Sequence, residues 1–262
     1  MTAVAAGLLV AGALVAALWA FQDHLLFFPR PLAGPEPGGP HVEAVLLAAA
    51  DGTRLRGWLI HAGPMPSPLV IYFGGNAEEG SWLAGWARSL PGWSLLLMNY
   101  RGYGRSEGRP GETTLFADAL RIYDHAAGRD DVDPHRIVAM GRSLGSGVAV
   151  HLAAHRPLAG AVLVTPFDSI TAVAQRHYPY LPVRWLLRHP FDSMAHAPAL
   201  RIPLLCLVAG RDTVIPPVHA RRLYEAWGGP KAWMDFPDAD HDGISDAPGY
   251  QEAIAAFLGD RR

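Results

Sequence analysis

The sequence has almost no cysteine and no run of basic residues. Cys206 is the one cysteine among 262 residues, so a scaffold held by internal disulfides is excluded. It lies inside an apolar strand pattern, which is typical of a buried structural thiol. The formal net charge is −2 and Lys231 is the one lysine. A chain without a basic run is not expected to bind nucleic acid.

Charge is also missing from a long stretch near the N-terminus. Residues 3–21 carry no charged side chain, and as a helix they would reach about 28 Å, close to the thickness of a bilayer core. A cleaved signal peptide is the alternative, but no Lys or Arg precedes the run and its apolar character continues to Phe28. The stretch therefore predicts a single-pass membrane anchor over residues 1–28. Arg30 is the one Lys or Arg close to this stretch, so the sequence does not determine the orientation of the anchor across the membrane.

What remains has the composition of one globular domain. Half of the residues are hydrophobic, and the length suits a single large core. Residues 29–40 are rich in Pro and Gly and predict a connector, so we expect the main domain to span residues 41–262. The oligomeric state is not indicated.

Strand and helix patterns alternate through this domain. The predicted strands are Val42–Leu47, Arg54–His61, Pro68–Phe73, Trp93–Asn99, Ile137–Met140, Ala161–Thr165, Leu204–Val208 and Ala232–Phe236. The predicted helices are Glu78–Leu90, Glu112–Ala127, Leu144–His155, Pro217–Trp227 and Tyr250–Leu258. This order predicts an α/β fold with a mostly parallel eight-stranded sheet and helices on both faces.

The most informative motif is Gly141-Arg142-Ser143-Leu144-Gly145. It follows an apolar strand and precedes an apolar helix, the setting in which G-x-S-x-G forms a nucleophile elbow. Small residues on either side permit a strained turn, and the helix N-terminus favours negative charge beside the serine. A second copy, Gly104–Gly108 around Ser106, runs into Arg109-Pro110-Gly111 and not into a helix. The context therefore favours Ser143 over Ser106 as the nucleophile.

A serine nucleophile needs a base and an acid that orients the base. Asp212 follows an apolar strand, where functional groups of doubly wound sheets collect, and His241 follows the last strand. The order Ser143, Asp212, His241 is that of one class of catalytic triad. The alternatives are a capping or solvated role for Asp212 and an exposed structural role for His241.

The negative charge that forms during acyl transfer must be stabilised by an oxyanion hole. The backbone N–H of Leu144, directly after the nucleophile, is the first predicted donor. The loop Phe73-Gly74-Gly75-Asn76-Ala77 should supply the second, with Asn76 preferred and Gly75 as the alternative. A tight strand–helix turn without catalytic meaning is the competing interpretation.

Two further stretches carry hypotheses. Residues 166–203 are rich in aromatic and apolar side chains, which predicts a small helical lid that could accept an apolar substrate group, or a helix packed on the sheet edge. Asp238, Asp240 and Asp242 match the start of an EF-hand loop, but position twelve is Gly249 and a strand precedes the loop. A calcium-dependent binding module is thus a weak alternative.

Taken together, these residues resemble the α/β-hydrolase superfamily and within it the BEM46-like membrane-anchored serine hydrolases, from about Leu25 to the C-terminus. The resemblance rests on Leu26-Phe27-Phe28-Pro29, Gly74 to Ala77, Asn99 to Ser106, Gly141 to Gly145, Pro190 to Ser193, and the loops of Asp212 and His241. It implies Ser143 as nucleophile, Asp212 as acid and His241 as base, and a structural role for the turn that holds Ser106. Relatives commonly have His where this chain has Gly74, so the oxyanion loop lacks that side chain.

The expected function is hydrolysis of carboxylic ester or thioester bonds of apolar acyl substrates through an acyl-enzyme. No cofactor and no metal are implied. An amidase or peptidase on the same triad is the alternative within enzymes, and a catalytically silent membrane-anchored scaffold is the alternative outside them.

Overall fold

The computed structural model describes residues 2–90 and 92–261, and these form an α/β fold around one sheet. Its eight strands are β1 (Val42–Ala48), β2 (Arg54–Ile60), β3 (Ser67–Phe73), β4 (Ser94–Met98), β5 (Val132–Arg142), β6 (Gly160–Val164), β7 (Leu204–Ala209) and β8 (Lys231–Phe236). The order across the sheet is β1-β2-β4-β3-β5-β6-β7-β8. Pairs β1/β2 and β2/β4 are antiparallel and the other pairs are parallel. The predicted fold class is confirmed.

Burial along the strands explains why the sequence forms this sheet. Every residue of β3 is buried, as expected for a parallel strand covered on both faces. The edge strand β1 alternates between buried and exposed residues along its second half, because one of its faces meets solvent. Cys206 of β7 is fully buried, and burial raises the pKa of its thiol.

Helices cover both faces of the sheet. The α-helices are α1 (Thr2–Leu26), α2 (Glu112–Ala127), α3 (Leu144–His155), α4 (Ile170–His177), α5 (Val183–Leu186), α6 (Pro217–Ala226) and α7 (Tyr250–Gly259). Side chains of α2, α3 and α6 belong to the core on one face. The opposite core includes residues of α7 and of a 3₁₀ helix, Gly80–Ser89.

Two elements differ from their predictions. The segment predicted as helix 78–90 forms the 3₁₀ helix Gly80–Ser89, in which Gly80 and Gly85 weaken the α-helical preference. Strand β5 begins at Val132, five residues before the predicted start at Ile137. This extension pairs Val132 with Ser67 across a register shift, a tertiary contact that local hydropathy does not encode.

The N-terminal helix α1 ends at Leu26, and the prediction of a membrane anchor over residues 1–28 is not supported. No helix in the described part of the chain is long and apolar enough to cross a membrane. Met1 lies outside the described residues. Within residues 29–40, which are predicted as a connector, Pro31 forms a bridge with Gly104.

The segment between β6 and β7 contains the short helices of the predicted lid. Helix α4 begins after Ser169, whose hydroxyl accepts a hydrogen bond from the Ala172 N–H. Helix α5 and two short 3₁₀ helices, Ser193–Ala195 and Ala197–Ala199, follow it. Tyr178, Tyr180 and Trp185 of this segment are exposed.

Candidate active site

Ser143 occupies a strained turn between β5 and α3. Its backbone has φ of +50° and ψ of −119°, a conformation that a non-glycine residue adopts only when its surroundings enforce it. A Cβ at Gly141 would come within 2.2 Å of the Gly145 oxygen, and a Cβ at Gly145 within 2.1 Å of the Phe73 oxygen. The two glycines therefore let strand, turn and helix approach closely enough to hold the serine in this conformation.

The structure brings Ser143, His241 and Asp212 together from three different loops. His241 Nε2 lies 2.9 Å from Ser143 Oγ, and His241 Nδ1 lies 2.6 Å from Asp212 Oδ2. All three residues are less than 10 % exposed. Because a carboxylate only accepts, Nδ1 carries the ring proton, and Nε2 is left to accept the proton of the serine hydroxyl.

Asp212 is held in place by the backbone that follows it. Its Oδ1 accepts hydrogen bonds from the N–H groups of Val214, at 2.9 Å, and Ile215, at 2.7 Å. These bonds fix the carboxylate after β7 and leave Oδ2 for the histidine. His241 reaches the same edge of the sheet from the loop after β8, as expected for groups at the carboxyl ends of parallel strands.

The predicted oxyanion donors lie beside the serine. Leu144 and Asn76 line the same cavity as Ser143. Among the residues described, neither of their backbone N–H groups has a protein acceptor, whereas the Gly75 N–H donates to Glu78 Oε2 at 2.5 Å. Gly75 is thus engaged elsewhere, which leaves Asn76 as the better candidate of the two that the loop offers.

A buried charged network supports this loop from behind. Glu78 Oε1 accepts the hydroxyl hydrogen of Tyr72 at 2.8 Å, and Glu78 Oε2 lies 3.3 Å from Arg142 Nη1. Arg142 Nη2 also donates to the backbone oxygen of His241 at 3.2 Å. Burial works to lower the pKa of Arg142, but the charge and hydrogen bond of Glu78 together with Tyr72 and Asp242 outweigh it, and the pKa is raised. The pair thus connects the oxyanion loop, the serine turn and the histidine loop.

Two tyrosines hold the oxyanion loop from the other side. The Tyr100 hydroxyl donates to the Gly74 oxygen at 2.9 Å, and the Tyr103 hydroxyl donates to Asn76 Oδ1, also at 2.9 Å. Together with Glu78, these contacts support the loop that begins at Gly74. The Asn76 side chain therefore has a structural role, and only its backbone N–H is a candidate oxyanion donor.

A cavity of about 850 Å³ opens from the serine. Apart from Asn76, Ser143 and Leu144, its walls come from α1, from the lid and from the loop after Asp212. No Asp, Glu, Lys or Arg occurs among the lining residues in the described part of the chain. A pocket of this size and polarity suits an apolar ligand group.

The competing serine has a different environment. Ser106 Oγ donates to the Asn99 oxygen at 3.0 Å and accepts from the Arg56 N–H at 2.9 Å. These bonds use the hydroxyl to tie its turn to β2. In the structure as described, no histidine contacts Ser106, so the preference for Ser143 is consistent with the geometry.

The three aspartates of the EF-hand-like stretch do not converge on one point. Asp238 pairs with Arg211, Asp240 accepts the Gly243 N–H at 2.8 Å, and Asp242 lies 3.3 Å from Arg142. Each carboxylate thus has its own donor from the protein.

One group of possible metal ligands stands elsewhere in the described residues, formed by Glu43, His61 and Asp131. Arg129 bonds both of these carboxylates, at 2.6 Å and 2.8 Å. A guanidinium already supplies the positive charge there, so the cluster is explained as an ion-pair network.

Sequence reasoning did not find the roles of Glu78 and Arg142. The position of Glu78 three residues after Gly75 matches the spacing of a side chain that accepts a backbone N–H, and this is the one local signal for its role. No local signal points to the contact between Arg142 and Glu78, which are 64 residues apart.

Comparison with known proteins agrees with this fold. The family model described as the alpha/beta hydrolase fold matches residues 68–193. The chain is 38 % identical over 259 residues to the uncharacterized protein Rv2307c of Mycobacterium tuberculosis, covering 95 % of this chain and 92 % of that protein. It is 31 % identical to the alpha/beta hydrolase domain-containing protein WAV2 of Arabidopsis thaliana, covering 90 % and 85 %. The chain belongs to the α/β-hydrolase superfamily.

A relative in yeast carries a membrane label. The uncharacterized membrane protein YNL320W of Saccharomyces cerevisiae is 29 % identical, covering 93 % of this chain and 91 % of that protein. These relatives agree with the BEM46-like resemblance.

Solved structures show the same fold. An acetyl xylan esterase from Paenibacillus sp. R4 superposes with a TM-score of 0.71 over 94 % of each chain, at 22 % sequence identity. At this identity the likeness concerns the fold.

Proposed function

We propose that the protein is a serine hydrolase that cleaves carboxylic ester or thioester bonds of apolar acyl substrates. The observation that carries the proposal is the chain of contacts from Ser143 Oγ to His241 Nε2 and from His241 Nδ1 to Asp212 Oδ2, at 2.9 and 2.6 Å, at the end of an apolar cavity. Membership of the α/β-hydrolase superfamily supports hydrolysis in general.

In the acylation half, His241 Nε2 takes the hydroxyl proton of Ser143 as Oγ bonds to the carbonyl carbon. The carbonyl oxygen becomes an oxyanion that accepts hydrogen bonds from the N–H groups of Leu144 and Asn76. When the tetrahedral intermediate collapses, the alcohol or thiol leaves with the proton from His241. The acyl group is then bonded to Ser143.

In the deacylation half, water replaces the serine as the attacking group. His241 takes one proton of the water as its oxygen bonds to the acyl carbon, and the same two N–H groups stabilise the second oxyanion. Collapse releases the carboxylic acid and returns the proton to Ser143 Oγ. Asp212 stays ionised and stabilises the imidazolium in both halves.

The acyl side of the substrate is proposed from the cavity. Its volume of about 850 Å³ and its lining free of Asp, Glu, Lys and Arg in the described residues favour an apolar group near Ser143. The leaving group is not defined by this argument, so esters and thioesters are both included.

A fluorophosphonate probe tests the nucleophile directly. Wild-type protein and Ser106→Ala should be labelled, and Ser143→Ala should not, with hydrolysis of p-nitrophenyl esters following the same order. Ester turnover that persists in Ser143→Ala would refute the proposal. Absence of labelling in folded wild-type protein would favour a silent scaffold, and faster turnover of matched anilides than of esters would favour an amidase.

A further inference from the structure

The C-terminal part of α1 forms one wall of the cavity. Leu18, Trp19, Gln22, Leu25 and Leu26 all line it. They face lid residues of α4 and α5 and the loop that follows Asp212. A helix that a sequence pattern associates with a membrane therefore contributes side chains to the cavity that contains Ser143.

The buried side-chain amide of Gln22 connects this part of α1 to the lid. Gln22 is 7 % exposed, and its Nε2 donates to the Leu186 oxygen at 3.1 Å while its Oε1 accepts from the Arg188 N–H at 2.7 Å. Both ends of the amide are satisfied across the junction, as expected for a buried polar group. Asp23 adds an ion pair with Arg188 at 2.7 Å.

The same wall is fixed to the oxyanion loop. Asn76 Oδ1 accepts the Phe28 N–H at 3.0 Å, and Asn76 Nδ2 donates to the Leu26 oxygen. The residue proposed to stabilise the oxyanion through its backbone thus holds the end of α1 through its side chain. The position of the helix and the position of the loop are coupled by one residue.

The cavity is much larger than a short acyl group. A water molecule in the liquid takes up about 30 Å³, and an acetyl group is only a few times larger than that. The cavity has a volume of about 850 Å³, and five of its lining residues come from α1. An acetyl group would fill only a small part of this volume, whereas a longer acyl chain has room to extend along the lining residues of α1.

We propose that residues 18–26 of α1 are part of the acyl-binding site and determine a preference for medium- and long-chain acyl groups. The inference rests on the proposed function for its reaction, but it concerns a binding wall that can be measured without turnover. Each methylene that moves from water into such a wall favours binding by about fourfold.

A matched pair of charge substitutions on one helix tests the wall. Leu25 lines the cavity and is 59 % exposed, while Leu9 of the same helix is 75 % exposed and is not among the lining residues. We would compare Leu25→Asp with Leu9→Asp. Both add one carboxylate to an exposed site of α1, so both variants should fold, and only the first places charge beside a bound chain.

Binding is measured in Ser143→Ala protein, which removes turnover. Isothermal titration with dodecanoate should give the same dissociation constant with and without Leu9→Asp. The Leu25→Asp change should weaken binding at least tenfold. In protein that retains Ser143, Leu25→Asp should lower the ratio of kcat/KM for p-nitrophenyl octanoate to that for p-nitrophenyl acetate at least tenfold.

The outcomes separate the two proposals. Equal dodecanoate binding by the Leu25→Asp and Leu9→Asp proteins would overturn the role of α1, whatever the enzyme hydrolyses. A failure of dodecanoate to bind the Ser143→Ala protein, without any change in α1, would overturn it as well. Tight binding that Leu25→Asp weakens, without any ester turnover that depends on Ser143, would support the binding wall and refute the hydrolase.

Discussion

Two copies of the same five-residue pattern lie 37 positions apart in this chain, and they do different things. Ser106 and Ser143 each stand between two glycines in a G-x-S-x-G motif, and each is 8 % exposed. Ser106 bonds backbone groups of Arg56 and Asn99, whereas Ser143 faces His241 and a cavity. Neither the motif nor burial distinguishes them. What distinguishes them is which distant residues the fold brings to each hydroxyl.

The glycines of the two copies also meet different demands. Gly104 and Gly108 have φ of +56° and +81°, so they serve a turn that only glycine adopts without strain. Gly141 and Gly145 do not have positive φ, and they are required because backbone atoms approach where a Cβ would be. In the second copy the positive φ falls on Ser143 itself. The same consensus therefore encodes a loop in one place and the strained turn of the candidate nucleophile in the other.

The largest effect in this comparison should come from Asp212, whose carboxylate bonds the histidine that contacts Ser143. Asp212→Asn should lower kcat for p-nitrophenyl esters about 10⁴-fold, because an amide no longer stabilises the imidazolium and permits the wrong histidine tautomer. Steady-state kinetics with p-nitrophenyl esters measures this change in kcat. Asp168→Asn is the matched control, since Asp168 Oδ1 also bonds a buried histidine, His219 Nδ1, at 2.8 Å. A similar fall in kcat in both variants would argue against Asp212 as the orienting acid.

The second largest difference should be between the glycines of the two motifs, in how much a substitution destabilises the protein. Gly145→Ala should destabilise the protein by about 3 kcal/mol or more, because its Cβ would meet a backbone oxygen at 2.1 Å in the closely packed core beside β3. Gly108→Ala should cost about 1–2 kcal/mol, the strain of an alanine at φ of +81°. Urea unfolding monitored by tryptophan fluorescence gives both values. A Gly145→Ala protein as stable as Gly108→Ala would mean that the elbow tolerates a side chain.

The smallest effect should come from the charge behind the oxyanion loop. Glu78→Gln should lower kcat about tenfold with little change in KM, because the loop loses the charged partner that Arg142 holds and the Gly75 N–H loses a strong acceptor. Glu107→Gln, inside the first motif, removes an exposed ion pair with Arg54 and should leave kcat unchanged. A rise in KM at constant kcat in Glu78→Gln would place Glu78 in substrate binding and not in positioning.

Much of the fold could be predicted from the chain itself. All eight strands were expected within a few residues of their observed positions, apart from the start of β5. The central parallel strands are continuous apolar runs because they are buried on both faces, and turn residues bound the others. The 3₁₀ helix Gly80–Ser89 was expected as an α-helix, since its apolar spacing does not reveal which backbone hydrogen bonds close. The division into residues 1–28, 29–40 and 41–262 stays a prediction.

The candidate site, too, could be predicted in part from the sequence, while another part needed the structure. Ser143, Asp212 and His241 could be chosen because each follows an apolar strand, and strand ends meet at one edge of a parallel sheet. The choice between Asn76 and Gly75 needed the structure, because it depends on Glu78 Oε2 lying 2.5 Å from one N–H and not the other.

The sequence by itself determined the alternation of strands and helices, the glycine spacing around Ser143 and the order of serine, aspartate and histidine, because these are local patterns. Only the tertiary structure decided that Arg142 meets Glu78, that Asn76 holds the end of α1 and that α1 lines the cavity. Those contacts join residues 50 or more positions apart. Their geometry follows from how the whole sheet and its helices pack, which no short stretch of sequence contains.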